Sequence, residues 1–400
     1  MSKPNILAST DSRAFFGAER ANLEILWRMK QSGAEVTALV RDEDWPENLH
    51  MRAQLDQRGI AWIKAPFPDY PSSRYKRYWP RVLVRNPGAF ARLNAITARA
   101  IRELAITNLH ISSPIQALSL VWTISRSQIP VTFFCNAEPS LHNQLYRLIW
   151  RWMGGRVDRF VCESLHMQRV VAAAGVDPGK IAIIASAAPH RFASAPFVVP
   201  RYAVDSSLIV FGFVGQFTAH KGIAVLLDAF ALVSARVPDA RLLVAGPTTD
   251  PYAQSLVDLW SGFEGGDRIQ FCGSVEDIPG FFAACDVHVA PTIGAEPYGL
   301  VVVEAKQAAL PSIVFNDGGM VELIADGEDG LIAREKTAGA LAEQMLVYAH
   351  DRRRARLDGA RALASLTGRL EIDRQDEKWL EVYAAAQTVR APRRTRRRAQ

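Results

Sequence analysis

Short hydrophobic runs alternate with longer amphipathic segments along most of the chain. The runs are rich in Val, Ile, Leu and Phe, and the segments between them repeat hydrophobic positions at helical spacing. Buried strands separated by helices indicate parallel sheets that are covered on both faces. The predicted strands form two series, the first at 5–9, 35–40, 59–65, 109–112, 131–134, 160–162 and 181–184, the second at 208–211, 242–244, 269–271, 287–290 and 313–315.

A proline-containing stretch without periodicity separates the two series. It predicts an N-terminal Rossmann-like domain over 1–187, a linker over 188–207 and a C-terminal Rossmann-like domain over 208–370. An amphipathic helix is predicted over 371–389, and 390–400 form a basic tail. Doubly wound α/β domains bind ligands beyond the carboxyl ends of their strands. We therefore expect these edges of the two domains to face a cleft.

Composition narrows the classes of protein that fit. The 400 residues are 49% hydrophobic, which is enough for two cores. The first residues lack the apolar centre of a signal peptide, and no apolar run is long enough to span a membrane, so we expect a cytoplasmic protein. The four cysteines form no C-x-x-C pair, and neither a P-loop nor a zincin motif occurs. We expect neither a metal ion nor another cofactor.

The positive charge is concentrated in two places. The formal net charge is +6, and the last eleven residues alone contain six arginines. A second block, 70–102, has eight Lys or Arg, no acid, and interleaved aromatics at Tyr75, Tyr78 and Trp79. This combination suits the inner face of an anionic membrane. Nucleic-acid phosphates would also suit it, and a solvated basic face is the alternative, but we expect no specific nucleic acid.

A loop between a predicted strand and a predicted helix carries two carboxylates. The strand is 287–290, the helix begins at Leu300, and Glu296 and Glu304 lie eight positions apart, in the loop and in the second helical turn. A helix N-terminus offers free N–H groups to an anion, and a carboxylate one turn further can accept hydrogen bonds from a ribose diol. The spacing is compatible with a nucleotide-sugar site and equally with an ordinary surface loop.

The segment from Glu296 through Pro297-Tyr298-Gly299-Leu300 to Glu304 resembles the E-x7-E motif of retaining GT-B glycosyltransferases of family 4. The similarity continues at Pro311, 317–319, 322–324 and 326–332. The resemblance implies transfer of a sugar from a UDP- or GDP-linked donor to an acceptor hydroxyl, saccharide or lipid-linked, in cell-envelope polysaccharide or glycolipid synthesis. It also implies that Glu304 binds the ribose and that Glu296, with the amides of Tyr298, Gly299 and Leu300, orients the donor sugar.

A second similarity lies after the first strand of the C-terminal domain. Gly215, Gln216 and Lys221 resemble the family's G-R-x-x-x-x-K-G element, in which Arg and Lys hold the diphosphate of the donor. Lys221 is therefore predicted to be catalytic together with Glu296. Gln216 replaces the family's arginine, and the lost charge would have to come from elsewhere. The candidates are Arg13, Arg20 and His220.

The N-terminal domain resembles the family less closely. Gly17 lies where the family has a G-G-x-E loop, and Asn136 lies where many members have an active-site His. Glu138 and His110 are further candidates for contact with the acceptor, since each lies near a predicted strand end; a satisfied core residue is the other interpretation of His110. In the C-terminal domain, the resemblance implies that the backbone of Val275 contacts the nucleobase.

Two other functions are compatible with the same fold. One is a GT-B epimerase or a hydrolase of nucleotide sugars. The other is a non-catalytic scaffold that binds sugar nucleotides or a membrane. Gln216 and Asn136 favour the scaffold, whereas Lys221, Glu296 and Glu304 favour the enzyme.

Overall fold

The computed structural model describes residues 3–11, 15, 17–68, 87–139, 141, 144–186, 208–263, 265–294, 296–369 and 372–390. They form two compact units, one from the described residues of 1–186 together with 372–390, the other from 208–369. The predicted linker and Arg13 lie outside the described residues, as do most of the basic block and all but the first residue of the tail.

The described strands of the first unit form one parallel sheet. Their order is β3-β2-β1-β4-β5-β6-β7, so the direction of winding reverses between β1 and β4. Almost every residue of the central strands is buried because helices cover both faces. The strands are β1 Asn5–Ser9, β2 Glu35–Arg41, β3 Ala61–Ala65, β4 Asn108–Ile111, β5 Val131–Cys135, β6 Arg159–Cys162 and β7 Ile181–Ile183.

Two hydrophobic clusters fill the space between this sheet and its helices. One lies under α3 to α7 and is built around Trp150 and Phe160, and the other lies under α1 and α2 and contains Leu26 and Leu55. Serine side chains cap two of the helices: Ser113 accepts from the amide of Gln116, and Ser164 accepts from the amide of Met167. The helices are α1 Gly17–Gln31, α2 Pro46–Gln57, α3 Pro87–Glu103, α4 Pro114–Ser119, α5 Val121–Arg126, α6 Gln144–Arg156 and α7 Leu165–Ala173.

The last described helix, α14 Ile372–Arg390, packs on the first unit. Trp379 and Tyr383 are buried in the cluster beside α1. Arg28 Nε donates to Asp376 Oδ1 at 2.8 Å, and Asn108 Nδ2 donates to the carbonyl oxygen of Tyr383 at 3.1 Å. Apolar burial and these polar contacts fix the helix to a sheet whose last strand, β7, ends at Ile183, far earlier in the sequence.

His110 is part of this buried contact. It is fully buried, and its ring nitrogens lie 2.7 Å from the Tyr383 hydroxyl and 2.8 Å from Asn22 Oδ1. Nε2–H therefore donates to Asn22, and Nδ1 accepts from Tyr383. Sequence analysis placed His110 among the residues near the acceptor, but the structure places it in the core, where it joins β4 to α14.

Two buried histidines should make the folded chain less stable as the pH falls. Burial lowers the pKa of His110 and of His288 from 6.5 to about 3. Below pH 6.5 the unfolded chain binds protons that the folded chain does not, so each histidine costs about 1.4 kcal/mol of stability per pH unit down to about pH 3. We expect the Tm to fall over this range in scanning calorimetry.

His110→Gln retains hydrogen-bonding capacity without titrating, so we expect a shallower loss of stability with falling pH. His350→Gln is the matched control, because His350 is exposed at the end of a helix. If the stability of His110→Gln and of the unaltered chain depended equally on pH, His110 would not be a neutral, buried group.

The second unit has its own parallel sheet. The described strands follow the order β10-β9-β8-β11-β12-β13, with the reversal between β8 and β11. The prediction of two Rossmann-like, doubly wound parallel-sheet domains is confirmed. The strands are β8 Ile209–Val214, β9 Ala240–Ala245, β10 Ile269–Gly273, β11 Val287–Ala290, β12 Ser312–Phe315 and β13 Gly330–Ala333, of which β13 was not predicted.

Helices cover both faces of this sheet as well. The larger cluster, around Phe211 and Phe230, lies under α8, α9 and α12, and a smaller one, around Phe281, lies under α10 and α11. No described helix is long and apolar enough to cross a membrane. The helices are α8 Ile223–Ser234, α9 Pro251–Ser261, α10 Ile278–Ala283, α11 Leu300–Gln307, α12 Ala338–His350 and α13 Arg352–Arg369.

Candidate active site

The predicted site residues of the second unit lie together at one edge of its sheet. All its described strand pairs are parallel, so the loops that follow the strands meet at the carboxyl edge. Lys221 follows β8 and Glu296 follows β11, and these two strands flank the point where the strand order reverses. In open α/β sheets this switch point is where ligands bind.

Glycine shapes the loop that follows β8. Gly215 N donates to the carbonyl oxygen of Ala245 at 2.9 Å, which holds the start of the loop against the neighbouring strand. The loop ends at Gly222, whose φ is +70°. A Cβ at Gly222 would lie 1.9 Å from the carbonyl oxygen of Pro291, so only glycine permits the loops after β8 and β11 to approach this closely.

Backbone hydrogen bonds hold these two loops together. The amide of Ile293 donates to the carbonyl oxygen of His220 at 2.9 Å. The His220 ring packs against Gly294, where a Cβ would lie 2.0 Å from Nδ1. As a result Lys221 Nζ lies 2.5 Å from Glu296 Oε2, with the side chains 27% and 20% exposed. The fold therefore presents an ammonium–carboxylate pair that solvent and ligands can reach.

Helix α11 begins directly beyond this pair. Its N-cap is Gly299, with φ +101°, and no side chain caps it. Tyr298 and Gly299 are buried and Leu300 is half-buried, so their backbone forms a fixed rim at the helix start. Glu304 is only 6% exposed in the second turn. A helix start without a side-chain cap can bind an anion through its free N–H groups, and a carboxylate one turn deeper can accept hydrogen bonds from hydroxyl groups.

The loops after β12 and β13 complete this edge. The amide of Gly319 donates to the carbonyl oxygen of Glu296 at 2.7 Å. Lys336, which follows β13, donates to the carbonyl oxygen of Ile293 at 2.5 Å and pairs with Asp317. Sequence analysis missed Lys336 because it missed β13; the run Gly330–Ala333 was the available signal. Lys336 brings a second ammonium to the loop that carries Glu296.

The other residues predicted for the second unit lie in the loops that follow β8 and β10. Gln216 is half-buried in the loop after β8, and Val275 is half-buried after β10. Of the three residues suggested to replace the missing arginine, the exposed His220 lies in the same loop as Lys221. Arg20 belongs to the first unit, where its guanidinium lies 6.0 Å from the Phe15 ring centroid.

The candidates of the first unit lie at the carboxyl edge of its sheet. Gly17 is exposed at the start of α1, and a Cβ there would meet nothing within 4 Å, so packing does not require glycine. Asn136 follows β5 and is half-buried. Glu138 Oε1 contacts His166 Nε2, with side-chain exposures of 29% and 20%. Sequence analysis missed His166; its position near the start of α7, after β6, was the available signal.

Metal ligands do not cluster in the part of the chain that the structure describes. No group of three or more His, Cys, Asp or Glu side chains there could hold a metal ion.

Sequence comparison assigns both halves of the chain to glycosyltransferase families. Residues 209–351 match the family of glycosyl transferases group 1, and residues 16–188 match glycosyltransferase family 4. The first match contains Lys221, Glu296 and Glu304.

Several of the related proteins are named as mannosyltransferases. The chain is 26% identical over 273 residues to phosphatidyl-myo-inositol mannosyltransferase of Mycobacterium leprae, covering 65% of this chain and 70% of that protein. It is 27% identical to mannosylfructose-phosphate synthase of Agrobacterium fabrum, over 45% of this chain and 42% of that one. It is 28% identical to the lipopolysaccharide core mannosyltransferase LpsB of Rhizobium meliloti, over 43% and 50%. The match thus covers half or less of the length of the last two proteins.

Solved structures share this fold over almost the whole chain. HepE of Anabaena in complex with UDP-glucose has a TM-score of 0.77 and 18% identity, over 95% of this chain and 99% of that one. A glycosyltransferase of Rickettsia africae has a TM-score of 0.78 and 18% identity, over 96% and 99%. At these identities the likeness shows the fold alone.

Proposed function

The chain belongs to the family 4 glycosyltransferases with the GT-B fold, and on that premise we propose that it transfers a sugar, with retention and without a metal ion, from a nucleoside-diphosphate sugar to an acceptor hydroxyl. UDP and GDP are the two proposed carriers. The structural observation that carries this proposal is the Lys221–Glu296 pair at the switch point of the second sheet, beside the start of α11.

Each part of this edge suits one part of the donor. The diphosphate would replace Glu296 as the ion-pair partner of the Lys221 ammonium, and it would accept hydrogen bonds from the first amides of α11. Glu304, buried one turn deeper, would accept hydrogen bonds from the ribose hydroxyls. Glu296, released from Lys221, would then orient the donor sugar, and the backbone around Val275 would contact the base.

The same arrangement suits the chemistry of transfer. Breaking the bond between the sugar and the diphosphate places positive charge on the sugar and negative charge on the departing phosphate. A preorganised ammonium and fixed backbone dipoles stabilise that anion without having to reorganise during the reaction. Since Gln216 carries no charge, we propose that His220 or Lys336 supplies the second cation of the site.

We propose that the first unit binds the acceptor. Asn136 and Glu138 follow β5, and the carboxylate of Glu138, held by His166, can accept a hydrogen bond from a sugar hydroxyl. Two of the three relatives are named for phosphatidyl-myo-inositol and for lipopolysaccharide core biosynthesis, which supports a lipid-linked or saccharide acceptor of the cell envelope. A non-catalytic binding protein is the second candidate, because Gln216 and Asn136 depart from the family pattern.

A thermal-shift screen tests the donor site. Among UDP, GDP and ADP, we expect UDP or GDP to raise the Tm without Mg²⁺, because a ligand at 100 times its Kd stabilises the folded state by roughly 2.7 kcal/mol. Glu304→Gln should weaken binding of that nucleotide by at least roughly tenfold, since a hydrogen bond to a charged group is worth about 1.5–3 kcal/mol. Isothermal titration calorimetry measures the change in Kd.

Glu343→Gln is the matched control, because Glu343 is exposed on α12 of the same unit. Absence of any shift with all three nucleotides would remove the donor-site assignment. A nucleotide shift without sugar transfer to any saccharide or lipid acceptor would favour the binding protein.

A further inference from the structure

Helix α6, Gln144–Arg156, has an outer face that contains none of the proposed donor or acceptor residues. Its inner face is the hydrophobic row Ile149, Trp150 and Met153, which is buried against the first sheet. The outer face is not simply polar. Leu148 is 63% exposed and Leu145 is 40% exposed, so two large hydrophobic side chains point away from the core.

Positive charge surrounds these leucines. Arg147 and Arg151 are exposed, and the 13 residues of α6 include three arginines and no acid. At 100° per residue, Leu148 lies between Arg151 on one side and Trp152 on the other, and Trp152 is half-buried because part of its side chain packs against the core. The nearest acid after the helix, Asp158, is buried and accepts from the amide of Val131 at 2.8 Å. It therefore points into the core and does not neutralise this face.

We propose that this face of α6, formed by Leu145, Arg147, Leu148, Arg151 and Trp152, docks on an anionic lipid surface. A helix with leucines and a tryptophan beside arginines lies flat at a membrane interface, with its apolar side chains among the acyl chains and its guanidinium groups at the lipid phosphates. Charge complementarity selects the lipid surface: each arginine near an anionic membrane strengthens binding roughly fivefold. Docking would place the first unit at the surface where a lipid-linked acceptor resides.

Flotation with vesicles tests this surface independently of any transferase activity. The full-length protein is mixed with vesicles of phosphatidylcholine alone or of equal parts phosphatidylcholine and phosphatidylglycerol, in about 0.1 M salt, where charges remain incompletely screened. We expect binding to the anionic vesicles only. Leu148→Glu and the double variant Arg147→Gln, Arg151→Gln should each lower the partition coefficient at least roughly tenfold.

Leu259→Glu is the matched control, because Leu259 is 66% exposed on α9 of the second unit. This control should bind vesicles as well as the unaltered protein does, and every variant should have the Tm of the unaltered protein. Equal partitioning of the α6 variants and the unaltered protein would overturn the proposal and point to other basic segments, such as the arginines of 390–398. No binding of the unaltered protein to anionic vesicles would also overturn it and leave an acidic protein partner for this face.

Discussion

Replacing Lys221 with alanine should lower kcat/KM for sugar transfer by roughly 100- to 1000-fold, the usual cost of removing one preorganised electrostatic group. Lys221 Nζ lies 2.5 Å from Glu296 Oε2 at the switch point of the second sheet, so its loss removes the ammonium and leaves a carboxylate where the diphosphate would bind. Initial rates over a range of donor concentrations measure the effect. The Tm should change little, because both side chains are partly exposed.

Lys64→Ala is the matched control for Lys221→Ala. Lys64 is 46% exposed and forms another ammonium–carboxylate pair, with Asp44, in the first unit, which does not contain the proposed donor site. We expect its kcat/KM to equal that of the unaltered enzyme. A Lys221→Ala enzyme with full activity would show that another group stabilises the departing diphosphate.

Replacing Asp329 with alanine should destabilise the second unit by about 3–5 kcal/mol, because it removes the carboxylate that neutralises the buried Lys306 ammonium, and Ser365 Oγ, 3.1 Å away, is only a neutral acceptor. Lys306 Nζ lies 2.6 Å from Asp329 Oδ2, and the two side chains are only 1% and 5% exposed. Asp329 Oδ1 also accepts from the amide of Ala325 at 2.8 Å. Urea denaturation, followed by far-UV circular dichroism, measures the free energy of unfolding.

Glu328→Ala, at an exposed position beside Asp329, should change the free energy of unfolding by no more than about 0.5 kcal/mol. The double variant Lys306→Met, Asp329→Leu should recover most of the lost stability, because no buried charge then lacks a partner. An Asp329→Ala protein as stable as the Glu328→Ala control would show that Lys306 does not depend on this carboxylate.

Local patterns in the sequence were sufficient to predict most strands. Strands β1 and β11 have the predicted bounds, because both are hydrophobic runs that end at a clear change of composition. Strand β13, Gly330–Ala333, was missed because it is short and starts with a glycine that resembles part of a turn. Its position in the sheet comes from pairing with β12, and a local pattern does not contain that information.

The residues of the donor site could be selected from the sequence, but their contacts could not. The resemblance identified Lys221, Glu296 and Glu304, which the fold brings to one edge. The approach of Lys221 to Glu296 depends on the packing of Gly222 against Pro291, two positions that come together only in the folded unit. Tertiary contacts of this kind leave no periodic signal in the chain.

Two histidines also depend on tertiary contacts: His110 was predicted as a site residue but is buried, and His166 was not predicted but contacts Glu138. His110 lies near a strand end in the sequence, but α14, more than 260 residues later, covers it and contributes the Tyr383 hydroxyl. His166 belongs to no motif, but it contacts Glu138 because β5 and β6 are neighbours. The order of the strands in the sheet decides which side chains meet at its edge.

The most direct test of the donor site is a crystal structure of the enzyme with the nucleotide that the thermal-shift screen selects. We predict that the diphosphate lies about 2.7–2.9 Å from Lys221 Nζ, at the start of α11, and that the ribose hydroxyls donate to Glu304. A nucleotide bound away from the carboxyl edge of β8 and β11, with Lys221 still paired to Glu296, would contradict the proposed site and the mechanism built on it.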